Sequence, residues 1–343
     1  MKKNRQTQLV KKDREKVIIY PNGRKVNRKL KEHETDMGER GIYNEKNQVN
    51  DLTGKEWTFF INSIKETDFA KNEKEFELWK YLQKSVIDTK YTVNGKNSFG
   101  HNLRKLHPSP KPPPLMRDII AFFTKSGGWL LDPFMGVGGT LLGASLLENR
   151  NAVGIDLEKK YLEIYNNVCE QEDLKKQLTI CDDARNISRI EQIKTHTYDL
   201  ILTDPPYANM LSKKRTGGDH KDKGSFTKNS NDLGNVSYEQ FLSEFRKIMG
   251  KSTTMLKNKG YLIIFCKDLQ PKKKQNNLLH ADIVNEISKI PNIYFKGYKI
   301  WYDKTINLYP YGYPFSYVSN QLHQFILIFR KEEYNKNEQT GDD

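Results

Sequence analysis

Residues 131–140 read Leu-Asp-Pro-Phe-Met-Gly-Val-Gly-Gly-Thr and residues 201–207 read Ile-Leu-Thr-Asp-Pro-Pro-Tyr. In each, a short apolar run passes through an aspartate straight into a turn. The surrounding sequence repeats this arrangement. Apolar runs at 128–131, 152–155, 178–181, 198–203 and 261–265 read as strands, and stretches at 115–124, 140–148, 161–174, 238–256 and 281–290 read as helices. Their alternation predicts an α/β fold with a doubly wound, mostly parallel sheet. Runs at 297–302 and 324–329 then supply two closing strands separated by an aromatic-rich loop. The proline-rich stretch 107–114 marks the start of the first helix, because proline presets φ and needs no donor there.

The chain has 343 residues with 57 Lys and Arg against 43 Asp and Glu, a formal net charge of +14. Such an excess favours a polyanionic partner, since neutralised phosphates release counterions. Cys169, Cys181 and Cys266 are widely separated and read as reduced thiols, with neither a disulfide framework nor a thiolate metal site. No apolar run is long enough to span a bilayer, and the first residues lack the apolar segment of a secretion signal. A cytoplasmic protein is expected. By composition, 1–50 reads as a basic, flexible arm and 51–100 as a small N-terminal region available for nucleic-acid contact. Within the latter, 69–86 has a helical stripe in Phe76, Leu78, Trp79 and Leu82. The main α/β domain is placed at 101–333, with inserts at 208–236 and 305–322, and 334–343 is a polar tail.

The turn after Asp132 is suited to a ligand. Gly136, Gly138 and Gly139 let backbone approach closely, and the next helix presents its first amides. The turn has neither the Gly-Lys-Ser/Thr ending of a phosphate loop nor the Gly-x-Gly-x-x-Gly order of a dinucleotide loop. An adenosyl ligand without a phosphate chain is the remaining candidate. Asp156 ends the second strand, where an acid can accept hydrogen bonds from both ribose hydroxyls. Asp183 follows the third strand, where it can accept from the ligand's adenine amino group or cap a turn.

Asp204 follows the fourth strand on the same rim. Pro205 and Pro206 remove two backbone donors and fix φ. An exocyclic amine attacking a methyl group needs acceptors for its N–H protons. The Asp204 carboxylate and the Pro205 carbonyl can hold those protons and aim the lone pair, and they stabilise positive charge developing on nitrogen. Tyr207 offers a ring to stack on the base. In a duplex the base must leave the stack first. No His/Cys/Asp cluster has metal-ligand spacing, and His101 and His107 lie in a polar stretch without partners, so no metal is expected.

These motifs together resemble the DNA amino-methyltransferases of the N6-adenine and N4-cytosine type. Residues 132–140 are similar to their cosubstrate loop, with Val137 and Gly139 where members often have Ser and Thr. Asp204-Pro205-Pro206-Tyr207 is similar to their catalytic motif. Residues 107–112, including Lys111, resemble the segment that encloses the methionine moiety, and 323–331 the final strand. The resemblance implies a Rossmann-like, seven-stranded, mostly parallel sheet with an antiparallel final strand. It implies S-adenosylmethionine as cosubstrate, held by Asp132, Pro133, Phe134, Gly136, Gly138, Gly139, Thr140, Asp156, Asp183, Ala184 and Lys111. It also implies a prokaryotic or phage source and double-stranded DNA as substrate, with a second copy or a recognition or restriction partner left open.

Within the resemblance, Asp204 leans toward adenine N6, since the N4-cytosine enzymes more often carry Ser there. Cytosine N4, guanine N2 in RNA, and a noncatalytic nucleic-acid-binding subunit are the alternatives. Lys213, Lys214 and Arg215 in the first insert are expected on phosphates, and Tyr311, Tyr313 and Phe315 in the second on the base pocket.

Overall fold

The computed structural model describes residues 16–19, 25–32, 34–36, 42–44, 81–89, 98–147, 149–208, 227, 229–268, 278–304 and 321–333. Two compact units emerge, Met1–Phe76 and Glu77–Asp343. In the first, β1 (Lys16–Ile19) pairs antiparallel with β2 (Lys25–Arg28), and β3 (Glu34–Asp36) with β4 (Ile42–Asn44). The stretch expected as a flexible arm therefore contains two short antiparallel pairs.

The second unit runs β5 (Val86–Thr89), α1 (His101–Arg104), α2 (Pro113–Phe123), β6 (Trp129–Asp132), α3 (Gly139–Ser145), β7 (Asn151–Asp156), α4 (Lys159–Gln171) and β8 (Leu178–Cys181). A tight helical turn, Ala184–Arg189, precedes α5 (Glu191–Lys194) and β9 (Tyr198–Thr203). Then come a short turn Leu233–Asn235, α6 (Tyr238–Thr254), β10 (Leu256–Cys266), α7 (Leu279–Ile287), β11 (Ile293–Asp303) and β12 (His323–Lys331). The strands form one sheet in the order β5-β11-β12-β10-β9-β6-β7-β8. Only β12 runs against its neighbours. The expected antiparallel final strand is present, but the sheet has eight strands rather than seven.

The additional strand is β5, which pairs parallel with β11 from Val86 opposite Ile300 to Thr89 opposite Asp303. Val86, which closes the stretch with the helical stripe, starts a strand instead. Four residues hold too little alternation to show as a strand. Tertiary contacts make it one: Ile87 is fully buried, and the Trp301 indole donates to Thr89 Oγ1 at 3.0 Å.

Central strands are apolar on both faces, as a sheet covered on both sides requires. Leu200, Ile201 and Leu202 are all fully buried. On one face Leu131, Ile201, Leu262 and Ile264 pack with Phe241, Phe245 and Ile248 of α6 and Ile283 and Ile287 of α7. On the other, α2 buries Leu115, Met116, Ile119, Ile120 and Phe123, the last edge-on to Tyr261 of β10. Pro113 and Pro114 open α2, as the proline signal implied. The cysteines are unbridged. No helix among the described residues is long and apolar enough to cross a membrane.

Candidate active site

Strands β6, β7, β8, β9 and β10 are mutually parallel, so their carboxyl ends share one rim. Asp132, Asp156, Asp182, Asp183 and Asp204 sit at or just past four of those ends and line one open cleft of about 880 Å³, mouth included.

The glycine turn is held from below. Asp132 Oδ1 accepts from Thr203 Oγ1 at 2.7 Å and from the Phe134 amide at 3.1 Å, tying the end of β6 to the end of β9. Asp156 Oδ2 accepts from the Gly136 amide at 2.8 Å, and Oδ1 from the Glu158 amide at 2.9 Å. The acid expected on the ribose thus also fastens the turn. Gly138 has φ +76°, and a Cβ there would lie 2.3 Å from Tyr165 Cδ2. A Cβ on Gly139 would meet the Lys111 carbonyl oxygen at 2.9 Å. Glycine is required at both places by space, and at Gly138 by backbone conformation as well.

Burial pushes the Asp156 carboxyl up to about 7 and that of Asp132 to about 6. Between the unfolded carboxylate pKa of about 4 and these values, the folded chain holds protons that the unfolded chain has released. Stability from these groups is complete below the unfolded pKa and is lost as pH rises through the folded one. The ligand-free protein is therefore expected to lose unfolding temperature from pH 5 to pH 8, and Asp156→Asn to reduce that slope. Calorimetry across that range checks it; equal slopes would remove Asp156 as the cause.

Asp183 caps the Ala184–Arg189 turn. Its Oδ1 accepts from the Arg185 amide and its Oδ2 from the Arg185 guanidinium, both at 2.9 Å. Arg185 also donates to the Asn231 carbonyl at 2.7 Å and to Glu244 Oε2 at 3.1 Å. Asp183 is therefore both turn cap and cleft wall.

On the catalytic side, the Lys111 ammonium and the Asp204 carboxylate form an ion pair, with side chains only 6% and 15% exposed. The Tyr207 hydroxyl lies 2.5 Å from Asp204 Oδ1 and 3.1 Å from the Phe265 carbonyl oxygen. With one proton to donate, it favours the charged acceptor. Burial, then the neighbouring Asp204 charge, raises the Tyr207 pKa well above its usual value and keeps the donor in place. The ring expected to stack on a base lies edge-on to Phe241, with centroids 6.5 Å apart. Tyr207 reaches the site through its hydroxyl. Asp204 and Pro206 line the cleft, whereas Pro205, Tyr207 and Gly138 do not.

Lys111 joins the two halves: its backbone abuts Gly139 and its side chain meets Asp204. Sequence reasoning placed it on the cosubstrate. It missed the residue that positions it, Arg104, which is buried and donates to the Lys111 carbonyl at 2.9 Å, to Phe99 O at 2.7 Å and to Ser98 O at 3.2 Å. Burial draws the Arg104 pKa down to about 10. Its only sequence signal is a lone arginine before a proline-rich stretch.

His107, expected without partners, accepts from the Ser109 amide at 3.2 Å and lies edge-on to Tyr161 at 4.8 Å. Glu158, Tyr161, Arg185, Thr227 and Asp232 are further cleft residues that the motifs did not indicate. The described end of the first insert, expected on the substrate, is tied to the cleft wall through the Thr227 hydroxyl on Glu158. Lys213, Lys214, Arg215, Tyr311, Tyr313 and Phe315 lie outside the described residues.

The lining is acidic: Asp132, Asp156, Glu158, Asp182, Asp183, Asp204 and Asp232 face Lys111 and Arg185. That donor-seeking, anionic wall suits a ligand with hydroxyls, an amino group and cationic centres, and it opposes a phosphate chain. Together with the glycine cradle, these residues fit S-adenosylmethionine. Among the described residues no group of three or more His, Cys, Asp or Glu could hold a metal ion.

A DNA methylase family model matches residues 2–167 and 198–341 of this chain. Type II methyltransferase M2.DpnII of Streptococcus pneumoniae is 45% identical over 67 residues, 20% of this chain and 25% of that protein. The tRNA (guanine(10)-N2)-dimethyltransferase of Methanothermobacter thermautotrophicus is 31% identical over 143 residues, 40% of each chain. The chain thus spans between 25% and 40% of the length of these two curated relatives. Among solved structures, TrmN from Thermus thermophilus is similar over 68% of this chain and 53% of its own, with 14% identity and a TM-score of 0.45.

Proposed function

The chain belongs to the DNA methylase family of N6/N4 type, and from that premise we propose that it methylates an exocyclic amine of a nucleobase in a nucleic acid, with S-adenosylmethionine as methyl donor. The observation that supports this most is the Asp204 carboxylate, held by Lys111 and Tyr207 on the cleft that the glycine turn also lines. When bound, S-adenosylmethionine supplies a methyl group on a sulfonium, which needs only an amine lone pair aimed at it.

The chain's own residues then have defined tasks. Asp156 and Glu158 accept from the ribose hydroxyls, and Asp183 from the adenine amino group. Phe134, Pro133 and Ala184 cover the apolar surface, and Thr140 with Asp132 holds the turn. Asp204 accepts an N–H proton of the target amine, and the Pro205 carbonyl accepts the second once the base is seated. This orients the nitrogen lone pair toward the cosubstrate side. Charge developing on nitrogen is stabilised by the adjacent carboxylate. Lys111 holds Asp204 in position. In a duplex the base leaves the stack to reach this depth.

Asp204 favours adenine N6 in DNA. The relatives span a broader class, and the 143-residue match to a tRNA guanine-N2 dimethyltransferase favours guanine N2 in RNA as a second reading. Incubating DNA and RNA with labelled S-adenosylmethionine, digesting to nucleosides and identifying the product by mass spectrometry separates them. N6-methyldeoxyadenosine is the expected product. N2-methylguanosine would move the substrate to RNA and keep the chemistry, while methyl on a ring carbon would overturn the role of Asp204.

A further inference from the structure

Asp232 stands on the short segment that closes the cosubstrate side of the cleft. That segment is pinned at several points. Thr227 Oγ1 donates to Glu158, the Asn229 amide donates to Thr227 Oγ1 at 2.9 Å, and Asn235 Nδ2 donates to the Thr227 and Asn229 carbonyls at 3.0 and 2.9 Å. From the opposite wall, the Arg185 guanidinium donates to the Asn231 carbonyl. The result is a fixed turn that places Asp232 in the cleft lining with Asp156, Glu158 and Tyr161.

Asp232 is 6% exposed. Its Oδ1 caps the Leu233–Asn235 turn by accepting from the Gly234 amide at 2.8 Å. Its Oδ2 is buried and has no hydrogen-bond partner among the described residues. A buried carboxylate oxygen without a donor is costly, and such atoms in folded proteins ordinarily meet a ligand or water. Arg185 cannot cover it fully, being engaged with Asp183, Asn231 and Glu244. Burial, more than any neighbouring charge, raises the Asp232 pKa, with Glu158 adding to it. The Gly234 and Thr227 amides and the Arg185 charge offset part of this; the donor that Oδ2 still lacks can be a neutral hydroxyl, whereas a phosphate oxygen only accepts.

We propose that Asp232 is a cosubstrate-binding residue whose free carboxylate oxygen accepts a hydrogen bond from a ribose hydroxyl of the adenosyl group, beside Asp156 and Glu158. The assignment rests on the adenosyl-ligand reading above and extends it to a residue that lies beyond the catalytic tetrapeptide in sequence. It makes the end of the first insert part of the cosubstrate wall.

The test separates capping from binding. Asn and Ser are both good cap residues, so Asp232→Asn and Asp232→Ser keep an acceptor for the Gly234 amide while removing the second carboxylate oxygen. Calorimetric titration of the full chain with S-adenosylhomocysteine is expected to show affinity weakened about ten- to a hundred-fold in both variants, with thermal midpoints near that of the wild type. The 2′-deoxy and 3′-deoxy forms of S-adenosylhomocysteine identify the hydroxyl. The variants' loss should vanish on the form lacking the group that Asp232 holds. Wild-type affinity in both variants overturns the proposal, and a full loss that persists on both deoxy forms overturns the ribose assignment. Absence of S-adenosylhomocysteine binding by the wild type would instead sink the methyltransferase reading itself, and this inference with it.

Discussion

Asp204→Ala is expected to lower methyl transfer by about a thousand-fold or more while S-adenosylmethionine binding stays within a few-fold of wild type. Positioned acceptors and donors that meet charge developing in the transition state are each worth about 10²–10³ in rate, and Asp204 also aims the attacking nitrogen. The cosubstrate groups hang on the ends of β6, β7 and β8 and retain their own supports, such as Asp156 on the Gly136 amide. Single-turnover methylation at saturating cosubstrate, with binding measured separately by calorimetry, reads the two effects apart. A variant that transfers methyl at the wild-type rate would remove Asp204 from the chemistry. Asp204→Asn is the useful companion, because it keeps the shape and one acceptor oxygen and loses the charge that faces Lys111 and Tyr207.

Lys111→Met is expected to be nearly as damaging, by a different route. The pair it forms with Asp204 is largely buried. Removing one member of a buried pair leaves the other charge uncompensated, at a cost of about 3–5 kcal/mol when burial is complete; the 15% exposure of Asp204 places this case toward the lower end. Without its partner, Asp204 loses the contact that fixes its carboxylate in the site, and turnover is expected to fall about a hundred-fold. Two measurements distinguish this from the cosubstrate contact that the sequence suggested. A loss confined to kcat at saturating S-adenosylmethionine assigns Lys111 to Asp204; a loss confined to cosubstrate KM assigns it to the methionine side. The double variant Lys111→Met with Asp204→Asn is expected to recover much of the lost stability and none of the activity, giving a coupling of about 2 kcal/mol or more. Additive stability losses would show that the pair contributes nothing jointly.

Residues 178–181 and 198–203 were legible as strands to the residue, because each is a short run bounded by turn or polar sequence and, in β9, nearly every position is buried. Helix ends were legible within a few residues, as with Pro113 at the start of α2. Less visible was β5, where four residues become a strand only because β11 offers a free edge. The boundaries of β10 and β11 were also too short from sequence. Both strands run on to eleven residues past polar positions such as Lys257, Asn258 and Lys296, which pattern reading takes for loop.

What the sequence determined alone was the order of strand, acid and turn: Asp132, Asp156, Asp183 and Asp204 each follow an apolar run, and a parallel sheet must bring such ends to one rim. That follows from local backbone preference and the burial period, both of which are encoded residue by residue. Only the tertiary structure decided how those acids are used. Lys111 meets Asp204 across 93 residues of chain, Arg104 fixes Lys111 from beneath, Tyr207 turns its hydroxyl rather than its ring to the site, and Asp232 arrives from beyond the catalytic motif. Pairings of this kind depend on which side chains share a buried space once the sheet is closed, and no local pattern in the chain records that.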